Sequence, residues 1–183
     1  MMLALILSFV TLWASPELPA VQAGAAVPAA KAETQATDPY APLRLYNGKW
    51  DLIPAGGDKP SNPVHLENRC AQAGEFFSCN QIVNGKNMAL VVFLPLHPLD
   101  KGGYAYRNQA LAVEGDDPSS WGGLEIVGDR WVYSSTANDN GKKIYWRTTN
   151  VFSGPDKIRF EVQRSEDGTN WVTKMSGDEA RAK

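Results

Sequence analysis

Five glycine-bearing dipeptides punctuate this chain and dictate how its strands pair: Gly74-Glu75, Asn84-Gly85, Gly128-Asp129, Asn140-Gly141 and Asp167-Gly168. A two-residue hairpin loop needs positive φ at one or both of its positions, and Gly or Asn supplies it. Such a loop leaves no freedom of register. If Ala73 and Phe76 close the Gly74-Glu75 loop, Gln72 falls opposite Phe77, Ala71 opposite Ser78, and Cys70 opposite Cys79. These are the only two cysteines, and they meet at a position where Cα atoms come within about 4.5 Å, a spacing a disulfide can span.

The same registers sort the side chains. One face of the first hairpin collects Val64, Leu66, Cys70, Phe77, Cys79 and Val83, and the other is mostly polar, with Phe76 and Ile82 as exceptions. Asn84-Gly85 carries the apolar face onto Met88, Leu90, Val92 and Leu94. In the second half, Leu124 and Ile126 align with Trp131 and Tyr133, then with Ile144, Trp146 and Phe152. "KIRFEVQRS" alternates Ile158, Phe160 and Val162 inward. Asp167-Gly168 then adds Trp171, Thr173 and Met175 to that face and sets Glu161 opposite Lys174. Asn47–Pro54 opens the series, and Gly102–Val113 forms a strand whose facing is open between Tyr104 with Tyr106 and Leu111 with Val113. Short strands joined sequentially by tight turns imply an all-β, antiparallel up-and-down meander barrel of about eight to ten strands, because closure removes the exposed edges.

The chain is 183 residues long, enough for one domain, with 18 basic against 20 acidic residues. Near-balanced charge excludes a global field that would recruit nucleic acid or anionic membrane. Residues 1–23 read as a signal peptide, with an apolar run from Leu3 to Ala14 and small residues before a cut after Ala23. The competing reading, a membrane anchor, has too short a run, since a span needs about 20 apolar residues. Residues 24–41 are Ala/Pro-rich and read as a flexible leader, which leaves 42–183 as a single barrel domain. A disulfide fits an exported protein, so the expected location is periplasmic or secreted, with no membrane association after signal removal.

Gly48-Lys49-Trp50 on the first strand of a meander resembles the G-x-W motif of the lipocalins and wider calycins. The chain is also similar to exported bacterial domains of unknown function with a calycin-like barrel. The resemblance covers roughly 43–183 and implies that Trp50 plugs the closed end under an Arg, either Arg181 or Arg164. The later lipocalin loop motifs are missing, and the strand number is closer to the fatty-acid-binding group. "SEDGTNW" (Ser165–Trp171) resembles the Asp-box hairpin of sialidase-like propellers but is one residue short. It occurs once, so it is expected to be a structural hairpin tip.

No residues point to catalysis. There is no G-x-S-x-G, and the acid pairs Asp116-Asp117 and Asp178-Glu179 fall in a loop and the tail, where solvated charge is expected. His65 falls on the outward face beside Glu67, and His97 in a Pro-flanked loop is the sole candidate haem ligand. Neither has a partner at metal-ligand spacing, so no cofactor is expected. The inner face is more informative. Trp131, Tyr133, Trp146 and Phe160 stand there with Asn68, Gln81, Thr148 and Asn150, and with Ser135 and Thr173. Burying unpaired amides costs about 1–3 kcal/mol each, so polar groups among aromatics describe a wet cavity for a small, mostly apolar ligand. The alternative is a periplasmic protein partner or inhibitor target, contacted through the loops Leu94–Gly103 and Gly115–Gly123.

Overall fold

The structure is a computed structural model that describes residues 38–55, 63–114 and 121–183; the expected signal peptide and most of the expected leader lie outside these. A 3-10 turn, Leu43–Tyr46, precedes ten strands: β1 (Gly48–Pro54), β2 (Val64–Ala73), β3 (Phe76–Val83), β4 (Lys86–Pro98), β5 (Tyr104–Ala112), β6 (Gly122–Val127), β7 (Arg130–Asp139), β8 (Lys142–Phe152), β9 (Lys157–Ser165) and β10 (Val172–Arg181). Each strand pairs antiparallel with its neighbour in sequence, and β10 returns to β1, so the sheet closes into an up-and-down barrel.

The tight turns set these registers as their residues require. Asn84 and Asn140 take positive φ together with the Gly that follows, which is the type I′ geometry. At Gly74-Glu75 and Gly128-Asp129 only the Gly does, as in type II′. In the first hairpin Gln72 faces Phe77, Ala71 faces Ser78, and Cys70 faces Cys79 with Cα atoms 4.0 Å apart, joined by a disulfide. Leu124 faces Tyr133 and Ile126 faces Trp131.

Three β-bulges interrupt the simple alternation: one at Leu96, late on β4, and two that move expected side chains to the other face. On β4 the register slips around Met88: Gln81 faces Ala89 while Ile82 faces Asn87. One extra residue reverses the facing beyond it. Val91 and Phe93 are therefore buried, and Met88 and Leu90, expected inside, are 40 % and 39 % exposed. On β10 the slip lies between Thr173 and Met175. There the expected two-residue turn is a longer loop, which displaces the register as well. Glu161 faces Ser176 rather than Lys174, and Thr173 leaves the interior to donate a 2.6 Å hydrogen bond to Glu161.

Asp167 and Ser165 organise that longer loop. The Asp167 carboxylate accepts from the backbone N–H groups of Thr169 and Asn170 and from the Asn170 side chain, while the buried Ser165 hydroxyl donates to it. These donors, led by the Asn170 backbone N–H, hold the Asp167 carboxyl well below the usual range. Trp171 lies outside the barrel, stacked on Arg147 at 4.2 Å. On β5 the tyrosines win the inner face: Tyr106 is buried, and Leu111 and Val113 face out. β4 runs to Pro98, so the expected loop from Leu94 contracts to residues 99–103 and His97 is an exposed strand residue.

Candidate functional site

One end of the barrel is sealed by a stack built around Trp50. Its indole is fully buried, meets Phe152 edge-on at 6.5 Å, and donates through Nε1 to the Tyr46 carbonyl at 3.1 Å. Phe152 in turn packs on Trp131, with ring centroids 4.7 Å apart. The guanidinium of Arg181 lies over the Trp50 ring at 4.4 Å and donates to three backbone carbonyls, of Leu45, Asn47 and Pro155. Arg164 is engaged elsewhere, in ion pairs with Glu166 and Asp139.

Gly48 explains the G-x-W spacing in physical terms. Its φ is +124°, and a Cβ there would stand 2.5 Å from Arg181 Nη1. The turn Leu43–Tyr46 completes the seal, with Leu43 buried. Residues 38–41, placed by the sequence in the leader, also join it. The Tyr106 hydroxyl donates to the Pro39 carbonyl at 2.6 Å, and Tyr40 donates to Glu75.

Inner-face residues recur every second position, so the layer above the seal can be read two residues along each strand. From Trp131 the next is Tyr133; from Phe152, Asn150; from Tyr106, Asn108; from Arg181, Glu179. With Tyr46 and Gln81 these form the polar floor of a cavity of about 380 Å³. Its walls are apolar: Leu52, Leu66, Val91, Phe93, Phe160 and Val162. Met175, 45 % exposed, stands at its mouth beside Ala110 and Thr148.

The floor holds unpaired polar atoms. Asn150 and Glu179 are 4 % and 5 % exposed, yet Asn150 Oδ1 and Glu179 Oε2 have no hydrogen-bond partner, and neither has Asn108 Oδ1. The Tyr46 phenol faces the Asn68 and Gln81 amides, but its approach to Asn68 falls short of hydrogen-bond geometry. Both polar atoms of the buried Asn68 side chain remain unpaired. Burial pushes the Glu179 carboxyl up to about 7. Burial, reinforced by the nearby carboxylate, raises the phenols of Tyr46 and Tyr133 as well, so both stay neutral in ordinary conditions.

Of the residues expected to line the interior, Tyr133, Phe160, Gln81, Thr148 and Asn150 border this cavity, whereas Asn68 is buried beside Tyr46 and does not border it. Two expectations are corrected. Trp131 belongs to the seal, because its indole stacks on Phe152 one layer below. Trp146 sits near the opposite rim, where it borders a separate shallow pocket with Trp121 and Trp171. Glu179 was expected to be solvated tail charge. Only its neighbour Asp178 is exposed, since β10 continues to Arg181 and alternation turns Glu179 inward. The sequence cue was Arg181 itself: an arginine reaching the seal places the residue two before it inside. Tyr46 and Asn108 are lining residues the sequence did not single out, whereas Met175, expected on the inner face, does border the cavity.

The histidines take no part. His65 is exposed and bonds Asp51 at 2.6 Å rather than Glu67, while His97 lies outside the barrel, so it cannot hold a haem in the interior. No cluster of three metal-ligating side chains occurs among the described residues. No helix among them is long and apolar enough to cross a membrane, which says nothing of a β-barrel.

No protein-family model matches the chain, and no curated protein matches it. Among solved structures it is similar to Rv2717c from M. tuberculosis, at 14 % sequence identity and a TM-score of 0.46, over 79 % of this chain and 98 % of that one.

Proposed function

We propose that this barrel is a non-enzymatic binding protein that takes a small, mostly apolar molecule into its interior. The observation that carries the reading is the cavity itself: aliphatic and aromatic walls over a floor of buried, unpaired polar atoms. At ~30 Å³ per non-hydrogen atom it has room for about a dozen such atoms. A dry structural core would leave Asn150 and Glu179 at a cost of about 1–3 kcal/mol each, whereas a ligand that meets them offsets that cost. The seal supports a calycin-like relationship, since Gly48, Trp50 and Arg181 stand as that resemblance implies. The disulfide supports an exported protein, periplasmic or secreted.

The protein-partner reading rested on two long loops. One contracts to residues 99–103, and residues 115–120 of the other lie outside the described residues; the interior has a lined cavity, which favours it as the site. The test is displacement of an environment-sensitive dye, with native mass spectrometry for stoichiometry. Uptake of one dye or lipid per chain, lost when Val162→Trp fills the cavity, supports the proposal. Absence of uptake by the native protein sinks it.

A further inference from the structure

The cavity floor also specifies the polar end of the ligand. We propose that the barrel selects cationic amphiphiles: a protonated amine carrying a short apolar tail, its ammonium group on Glu179 and its tail along Phe93, Phe160 and Val162. This rests on the reading of the interior as a binding site.

The argument is one of charge and donor balance. Glu179 is 95 % removed from solvent, and Oε2 has no partner. Among the described residues, no Lys, Arg or His lines the cavity to neutralise it. The nearest basic group on its own strand, Arg181, is held over Trp50 and spends its donors on the Leu45, Asn47 and Pro155 carbonyls. From the flanking strands Glu179 meets Leu52 on β1 and Ile158 on β9, neither titratable. The other titratable groups near it are the neutral phenols of Tyr46, from the 3-10 turn, and Tyr133, from β7.

An anionic head group would therefore meet repulsion with no compensating cation. A neutral one would leave an ionised Glu179 unmatched. An ammonium group supplies both the opposite charge and up to three donors, and the unpaired atoms of the residues that line the cavity are acceptors, Glu179 Oε2, Asn150 Oδ1 and Asn108 Oδ1; the unpaired amide of Asn68 lies behind Tyr46 and does not line it. The flanking Tyr rings add faces on which a cation is attracted.

The test compares three probes of equal tail: octylamine, 1-octanol and octanoate, titrated calorimetrically into the native protein at pH 8. A charge-assisted pair makes octylamine bind roughly ten- to a hundredfold tighter than octanol, with octanoate weakest. Glu179→Gln removes the preference, so that octylamine and octanol bind the variant with equal affinity. Because Glu179 must be ionised, octylamine affinity falls about tenfold per pH unit below pH 7 while octanol stays level. Equal affinities, or octanoate tightest, would overturn the cationic selection while leaving interior binding intact. No binding by any of the three would remove both, and it is told apart by the failure of octanol as well.

Discussion

Glu179→Gln is the substitution whose effect on the empty barrel can be worked furthest. In the unfolded chain the carboxyl titrates near its ordinary 4.5, and in the barrel it titrates near 7. Below pH 4.5 both states hold the proton, and the site favours the fold fully relative to higher pH. As pH rises from 4.5 to 7 the unfolded chain releases its proton first, so this contribution is lost. Above 7 the loss is complete, at about 3 kcal/mol, reckoned at ~1.4 kcal/mol per tenfold. Gln keeps the shape and cannot ionise. Urea titrations of both proteins at pH 4, 5, 6, 7 and 8.5, with the disulfide oxidised, isolate the site because the other carboxylates cancel in the difference. The variant gains about 3 kcal/mol on the native protein between the lowest and highest pH, which for a domain of this size shifts Tm by about 6–12 °C. Parallel pH profiles would refute the reasoning, since Glu179 would then be as well solvated folded as unfolded.

Three further outcomes follow from the packing. Replacing both Cys70 and Cys79 by Ala frees a loop of sequence separation 9 and costs about 2–3 kcal/mol in oxidised-state urea melts, and reductant then has no further effect on the variant. Arg181→Ala strips the seal of its cation–π contact and leaves the Leu45 and Asn47 carbonyls without that donor, a loss of about 2–4 kcal/mol by thermal melt that Lys only partly restores. The bulge on β4 is checked by a pair: Met88→Lys stays within ~0.5 kcal/mol, while Val91→Lys prevents folding or costs more than ~3 kcal/mol, as judged by circular dichroism and urea titration.

Where a turn is two residues long and holds its Gly or Asn-Gly, the pairs that flank it were legible in the sequence. The Cys70–Cys79 pair, the Trp131–Ile126 pair and the order of strands all follow from φ at Gly74, Asn84, Gly128 and Asn140. Bulges escape such reading because nothing local marks them. At Met88 the inserted residue is as apolar as its neighbours, so alternation favoured Leu90 and Leu94 until burial of Val91 and Phe93 settled the facing. The loop at Asp167 misled for a related reason. Asp-Gly reads as a tight hairpin, but the Asp167 carboxylate gathers the backbone N–H groups of Thr169 and Asn170 and stabilises a wider loop.

For the cavity, the mixture of amides and aromatics was visible in sequence, whereas its vertical layering was not. Trp131 and Tyr133 share a face, yet two residues separate a packed seal from a polar floor. Glu179 stayed hidden because a carboxyl near the end of a chain ordinarily meets water.

Nine of the ten strand pairings join neighbours in sequence, and the tenth, β1 to β10, spans the whole domain. Its residues include Trp50 opposite Arg181, so the contact that shuts the ring also locks its base. Local hairpins can form as the chain emerges, but the seam has the largest loop entropy to overcome and needs the last strand. Until residues 172–181 are in place, β1 and β9 each present a bare strand edge able to pair with another chain. A nascent or carboxy-terminally clipped form is thus a sticky ribbon rather than a weakened vessel. The final ten residues of the sheet act as the clasp that keeps one molecule from polymerising with the next.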